Sequence, residues 1–424
     1  MIWRRSLQLL ALWSASLAPL CSAESSLVEQ IVEERAPYLH QLRASLHRIP
    51  ELRWREEETL ATILAALEAI EPLPGRQLKI YDHYSGGIVA DLDIAENSSA
   101  ARWLFRADTD ALPVDESQQH AVRSTHPGRM HACGHDIHSA MLLTACRLLA
   151  EEAELLPAVQ LRFIWQRAEE SPGSAPIPQS GAERLIEEGV LEGIEQVYGL
   201  HIWAKSPASQ FESRPGPFFA NSGRLHFTIE TKGGHVTKPH QGVNSLRVAH
   251  ALQVLLSDFA LRTLGPLASM SLEPSMLQAG SPGNSMPARA EACYSFRHFM
   301  DKEQRQQFIE ELGREVQLLA QRYRCSIAME VRGGHPTCIN SAAETELVAQ
   351  RLRESDLKAV MVEPVMGGED FACFLEERPG SFWLLGAHQE GSGDHHMGTF
   401  DPDPSSFSKG VYFWLLVAGC LESR

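Results

Sequence analysis

Within the nine residues from Met130 to His138 the chain places one thiol, three imidazoles and one carboxylate: His131, Cys133, His135, Asp136 and His138. Core packing does not call for such a run, because polar side chains cost free energy to bury unless they find partners. Thiolate and imidazole two positions apart, as in Cys133 and His135, suit divalent metals of borderline softness such as Zn²⁺. Gly134 between them lets the chain bend tightly. Most isolated cysteines and histidines are buried thiols or capping and surface imidazoles, so the metal reading needs donors from elsewhere in the chain.

Three apolar runs end in such donors. Arg102–Arg106 reads as a short strand running into Asp108-Thr109-Asp110, and Val159–Trp165 reads as a strand stopping before Glu169-Glu170. Gln196–Leu200 closes on His201. Helical patterns over Met141–Leu156 and Ala182–Glu192 separate the strands, and the cysteine motif is expected in a loop feeding the first helix. Strand, helix, strand, helix, strand is the order of an open α/β sheet, whose ligands bind beyond the carboxyl ends of the strands. Acidic residues at any one strand end are often caps or solvated loops. Three such ends together with the cysteine motif predict one converging metal site.

A chain of 424 residues, 44% hydrophobic and 22% charged, has room for two domains and the composition of an ordinary globular protein, which excludes fibrous and disordered classes. Residues 1–23 carry Arg4 and Arg5, an apolar stretch from Leu7 to Leu20 and Cys21-Ser22-Ala23, the pattern of a secretory signal peptide. The mature chain is therefore expected to be exported, periplasmic or secreted, with no membrane segment after cleavage. A membrane anchor fits less well, since the run is short and broken by Ser14, Ser16 and Pro19. The arginine pair invites a twin-arginine route, but the residues after it fit that pattern poorly and the general secretory route stands beside it; bulky Leu20 speaks against a lipoprotein. Net charge is −16, and loss of Arg4 and Arg5 makes it more negative, which opposes nucleic acid and anionic membranes as partners. Seven cysteines follow Cys21 without the spacing of a disulfide scaffold.

Taken together, Arg106–Pro113, Met130–Asp136, Ala168-Glu169-Glu170 and Tyr198–His201 resemble the metal-dependent amidohydrolases that include hippurate hydrolase and indole-3-acetyl-amino-acid hydrolases, within the aminoacylase and carboxypeptidase superfamily. The resemblance continues through Gly233–His240, Asn284 with Pro287, Arg297, Met366–Phe371, and His396 with Phe400. It implies an α/β fold in which a catalytic domain, a central mixed sheet flanked by helices, is interrupted by a smaller α/β satellite that serves dimerisation. The corresponding spans are 24–222 and 332–424 for the catalytic domain and 223–331 for the satellite.

Carried over residue by residue, the resemblance implies that Cys133, His135, Glu170, His201 and His396 hold two divalent ions (Zn, Mn, Co or Ni), with Glu169 as general base toward a metal-activated water. Asp108 and Asp136 would orient imidazoles rather than ligate. His235, reaching a partner subunit's site, would stabilise the oxyanion, Asn284 would meet the same intermediate, and Arg297 would grip a substrate carboxylate. Glu369 would line the site, or with Asp370 cap the next helix. The implied reaction is hydrolysis of an N-acyl or N-aroyl amino acid by a homodimer or higher homo-oligomer. A dipeptidase or carboxypeptidase would share the mechanism. A thiol hydrolase using Cys133 and a periplasmic binding protein without turnover are the rivals in other classes. Arg167 stands where such enzymes usually carry proline; Ser285-Met286, Val243-Asn244-Ser245 and an enlarged loop at Ser171–Ser180 also depart from the pattern, and these bear on substrate preference.

Overall fold

The computed structural model describes residues 7–95, 99–170, 179–265 and 269–420, with side chains described from residue 27 onward. The leader expected at 1–23 and residues 171–178 of the enlarged loop lie outside the described side chains. In chain order, α1 (Leu7–His47) and α2 (Glu57–Glu68) precede β1 (Arg76–Tyr81), β2 (Gly87–Ile94) and β3 (Arg102–Asp108). Next come α3 (His135–Glu151), β4 (Gln160–Gln166), α4 (Gly181–Glu187), β5 (Ile194–Trp203), β6 (Phe211–Ser213) and β7 (Gly216–Phe219). β8 (Arg224–Glu230), β9 (Gly234–His235), α5 (Ser245–Leu264), β10 (Met270–Ala279), β11 (Ser285–Met286), β12 (Arg289–His298), α6 (Lys302–Tyr323) and β13 (Ser326–Arg332) follow. The chain closes with β14 (Cys338–Asn340), α7 (Ala342–Glu354), β15 (Ala359–Met361), α8 (Ala372–Glu377), β16 (Gly380–Gly386) and α9 (Phe407–Val417).

Eight strands form one mixed sheet in the order β1-β2-β4-β3-β5-β16-β6-β15. Its centre, β4-β3-β5-β16, is parallel throughout. Every residue of β4 and of β16 is buried, as expected of parallel strands covered on both faces. α3 is buried nearly all the way round because it lies on the sheet and under α1 and α9. The four parallel strands therefore deliver their carboxyl ends to one edge.

β10-β12-β8-β13 form a second, fully antiparallel sheet. Ala290, Ala292, Tyr294 and Phe296 alternate inward along β12 against α5 and α6, giving a core between Leu225 and Ile327 that shares no buried residue with the large sheet's clusters. The two bodies join where Asn221 N donates to His298 O at 2.8 Å and Ser222 N donates to His335 O at 3.2 Å.

Two element boundaries differ from expectation. β5 does not end at His201 but continues to Trp203, because Ile202 pairs with Leu385 of β16. α3 begins at His135, not Met141, so the metal motif straddles the boundary: His131 and Cys133 lie in the expected loop, while His135, Asp136 and His138 form the helix's first turn. Cys133, Cys146, Cys293, Cys325, Cys338, Cys373 and Cys420 are all free. No helix among the described residues is long and apolar enough to cross a membrane.

Candidate metal centre

Gly134 caps α3 in a left-handed conformation, φ 91°, and a Cβ there would lie 2.4 Å from Ile202 Cγ2. Only glycine allows this backbone to approach β5 so closely, and the turn sets Cys133 and His135 on either side of it. His135 Nδ1 lies 3.1 Å from Asp110 Oδ1, which fixes the proton on that nitrogen. Its Nε2 is buried with no hydrogen-bond partner among the described residues. His201 Nδ1 lies 2.6 Å from the Ile202 carbonyl oxygen, an acceptor only, so its Nε2 presents a lone pair 3.4 Å from Cys133 Sγ. Donor atoms of Cys133, His135 and His201 fall within 4.8 Å of one another. So do those of Cys133, Glu170 and His396, and those of His135, Glu169 and Glu170. The sequence's separate donors thus meet in overlapping groups that share Cys133, His135 and Glu170.

The segments carrying these donors are strained where they bend. Ala168 and His396 adopt φ of 52° and 66°, unusual for residues with a Cβ and both at the edge of the cluster. The Ala168 turn is braced from α2's start: Glu56 Oε1 accepts the Ala168 N–H at 2.8 Å and Glu56 Oε2 accepts Arg167 Nε at 3.0 Å. Arg167 N also donates to Gly86 O at 2.9 Å, a bond the more usual proline could not make.

Acid groups crowd this edge. Burial, then the neighbouring Glu369 and Glu170, hold the Glu169 carboxyl well above the usual range. Glu369 is pushed up to about 8 by burial despite Arg106. Burial and then Glu170 and Glu169 raise the Cys133 thiol. Burial opposes a charge on His135, yet Asp108 and Asp110 outweigh it and raise the group to about 10. Arg106 donates to Asp108 Oδ2 at 2.6 Å and also pairs with Asp370, so its charge is shared beneath the cluster. Mutually repelling carboxylates, a thiol and an imidazole nitrogen without a partner fit multivalent cations, which would satisfy all of them at once.

Not every expected residue joins the cluster. Asp136 turns the other way, accepting from Arg43 Nε at 2.8 Å and contacting His47 Nδ1 at 2.7 Å, because successive residues of a helix face different directions. The carboxylate that orients His135 is Asp110, which also accepts the Glu170 N–H at 2.9 Å. Asp108 instead binds His138 Nδ1 at 2.6 Å and stands 3.8 Å from His135 Nε2. His138 is spoken for at both nitrogens, since its Nε2 accepts Ile202 N–H at 2.8 Å. Asp110 was findable from sequence as the second acid two residues along the same strand end. His235 and Asn284 are neighbours through the β9–β11 pairing, both exposed and both outside the cavity of their own chain. Glu369 Oε1 accepts the Phe371 N–H at 2.9 Å, while Asp370 accepts from Arg106 and Gln166.

A cavity of about 580 Å³ opens over the cluster. Cys133, Glu169, Glu170, His201 and His396 line one end, Trp203 and Phe219 part of the wall, and Arg297 of β12 comes in from the second sheet. Sequence reading singled out Arg297 there but not Arg224 and Arg332, which pairing between distant strands brings beside it.

Residues 104–419 match the model of peptidase family M20/M25/M40. The chain belongs to that family. This M20-type chain is 33% identical over 372 residues to N-acetyl-L-cysteine deacetylase of Bacillus subtilis strain 168, covering 88% of this chain and 85% of the relative. It is 29% identical over 401 residues to thermostable carboxypeptidase 1 of Saccharolobus solfataricus, covering 92% and 98%. A solved structure from Bacillus subtilis, a dinuclear metal binding peptidase of the M20 family, superposes with a TM-score of 0.77 at 28% identity, covering 92% of this chain and 99% of that one. The M20-type chain is a metal-dependent hydrolase with a two-metal centre.

Proposed function

We propose that the protein hydrolyses the amide bond of N-acyl or N-aroyl amino acids, releasing a carboxylic acid and a free amino acid. The observation that carries this reading is the cavity itself, with a cluster of metal donors at one end and the Arg297 guanidinium at another part of its wall. A substrate with an amide and a terminal carboxylate matches both features.

In this reading Cys133, His135, Glu170, His201 and His396 hold two divalent cations. The cations supply Lewis acidity toward the amide oxygen and toward a water. Glu169, buried beside Glu170 at the cavity, takes a proton from the attacking water and passes it to the leaving amine. Asp110 keeps the His135 proton on Nδ1, leaving Nε2 for a cation. His235 and Asn284, exposed on the second body, serve the site of a partner subunit in a homodimer. The charge and the leader pattern support an exported enzyme acting on small solutes.

A carboxypeptidase or dipeptidase reading is supported by the likeness to the archaeal carboxypeptidase. One panel separates the two: N-acetyl and N-benzoyl amino acids against dipeptides, with metal-loaded protein, after chelation and after Mn²⁺ or Zn²⁺ is restored. Preferential metal-dependent cleavage of the N-acyl series is expected. Preference for dipeptides would move the assignment to a peptidase.

A further inference from the structure

The cations lining the cavity divide into those with a carboxylate partner and those without. Lys205 Nζ lies 2.8 Å from Asp394 Oδ2, and Arg332 Nε donates to Glu330 Oε2 at 2.7 Å. Arg224 and Arg297 have no carboxylate partner among the described residues, although the cavity is rich in acids.

These two residues are diagonal neighbours by strand register. Arg224 stands opposite Ser295 on β12 and opposite Arg332 on β13. Arg297 follows Ser295 by two residues and so points to the same face, away from the helices that cover Ala290, Ala292, Tyr294 and Phe296. Arg297 is half-buried, and a Cβ on Gly368 would lie 3.4 Å from its Nη1, so the group is held against the loop that leads to Glu369. Burial first, and then the Arg224 charge, lower its pKa. Arg224 is exposed, so water screens its charge in the free protein, while a ligand carboxylate that displaces this water meets two like charges on one face of the cavity.

One arginine suffices for the single carboxylate of a neutral amino acid. We propose that the amino-acid half of the substrate is dicarboxylic, an N-acyl glutamate or aspartate, with Arg297 on one carboxylate and Arg224 on the other. This rests on the proposed N-acyl-amino-acid hydrolysis and adds its substrate class. The closeness of the arginines places both charges on the amino-acid half, since only a few methylenes separate the carboxylates of aspartate or glutamate. Arg224 is then a specificity residue that touches substrate.

The test compares N-benzoyl-glutamate with N-benzoyl-glutamine, and N-benzoyl-aspartate with N-benzoyl-asparagine, on metal-loaded wild type and Arg224→Gln. Each neutral partner is nearly isosteric and lacks one charge. Wild type should favour the acid by about tenfold or more in kcat/KM, carried mostly by KM, the scale of one charge-assisted contact. Arg224→Gln should bring the ratio to near one, and Arg224→Lys should recover part of it. Calorimetry on Glu169→Gln protein supplies a readout without turnover: N-benzoyl-glutamate should bind more tightly than N-benzoyl-glutamine, and the added Arg224→Gln change should erase the difference. Equal kcat/KM for acid and amide in wild type, or an Arg224→Gln loss that is the same for both, overturns the assignment. Cleavage of N-benzoyl-leucine and N-benzoyl-glutamine without advantage for glutamate removes this inference alone. Absence of cleavage throughout the N-benzoyl series removes the proposed function and this inference with it.

Discussion

Cys133 Sγ and His201 Nε2 face each other at 3.4 Å, while His201 commits its proton on the far side of the ring to the Ile202 carbonyl. The pair thus turns a thiol sulfur and an imidazole lone pair into one space, with the tautomer fixed by main chain. Cys133→Ala and His201→Ala should each lower the number of ions held per chain, read by elemental analysis of dialysed protein, with circular dichroism unchanged. Two ions retained by both variants would remove the pair from the donor set.

Asp110 and Asp136 should separate by kind of effect. Asp110 touches His135 and the Glu170 main chain, so Asp110→Asn should weaken metal binding by roughly 10–100-fold with little change in unfolding. Asp136 bonds Arg43 and His47 of α1, so Asp136→Asn should cost about 3 kcal/mol of stability while metal affinity holds. Competition titration against a chelator and denaturant unfolding read the two effects, and the reverse pattern would contradict both assignments.

Glu169 neighbours Glu170 in sequence yet is asked to move protons. Glu169→Gln should reduce turnover by roughly 10²–10⁴-fold with metal content near wild type. A variant that keeps most of its turnover would leave the general base unassigned.

His235 lies outside the cavity of its own chain, so a shared site can be tested by complementation. Glu169→Gln and His235→Ala proteins, each nearly inactive alone, should regain roughly a quarter of wild-type activity after subunit exchange, because half the dimers are hybrids with one intact site each. Mixtures no more active than their components would count against a partner's His235 in the site.

Acid stability carries a sign that one histidine makes testable. Burial, and then Arg305, push His298 down to about 3, while the unfolded residue titrates near 6.5. Between these values the unfolded chain binds the extra proton, so stability is lost as pH falls from about 6.5 toward 3, by about 1.4 kcal/mol per unit. His298→Leu should remove that contribution. Urea unfolding of metal-free protein at pH 7 and pH 5 should show wild type losing about 2 kcal/mol more than the variant, and parallel losses would refute the depressed pKa.

How far the chain could be read without coordinates depended on how local each signal was. The strand-helix alternation from Arg102 to His201 is written in periodicity, and β3, β4 and β5 are parallel neighbours as that order requires. Donors at strand ends were legible for the same reason. Asp136 orients an imidazole as expected, but that of His47 and not of a metal donor, because one step along α3 turns a side chain from the cluster to α1. His201 looked like a strand end because polar residues usually are, yet pairing with β16 carries β5 beyond it. Arg224 carried no local mark at all. Its position follows from strand pairings among β8, β12 and β13, which no short window contains.

The donor groups gathered at the sheet edge span the chain from Cys133 to His396 and enter from the turn that opens α3, from the segment after β4, from β5 and from the segment after β16. None of these segments holds a complete set, and the last arrives only when the final strand has inserted beside β5. A growing or half-folded chain therefore offers an ion at most a fragment of the site, and capture of the full complement reports that the topology is finished. Ions that bind only the completed fold would add their binding free energy to its stability. The same long-range assembly that hides parts of the site from a sequence window makes binding of the full metal complement depend on the completed topology.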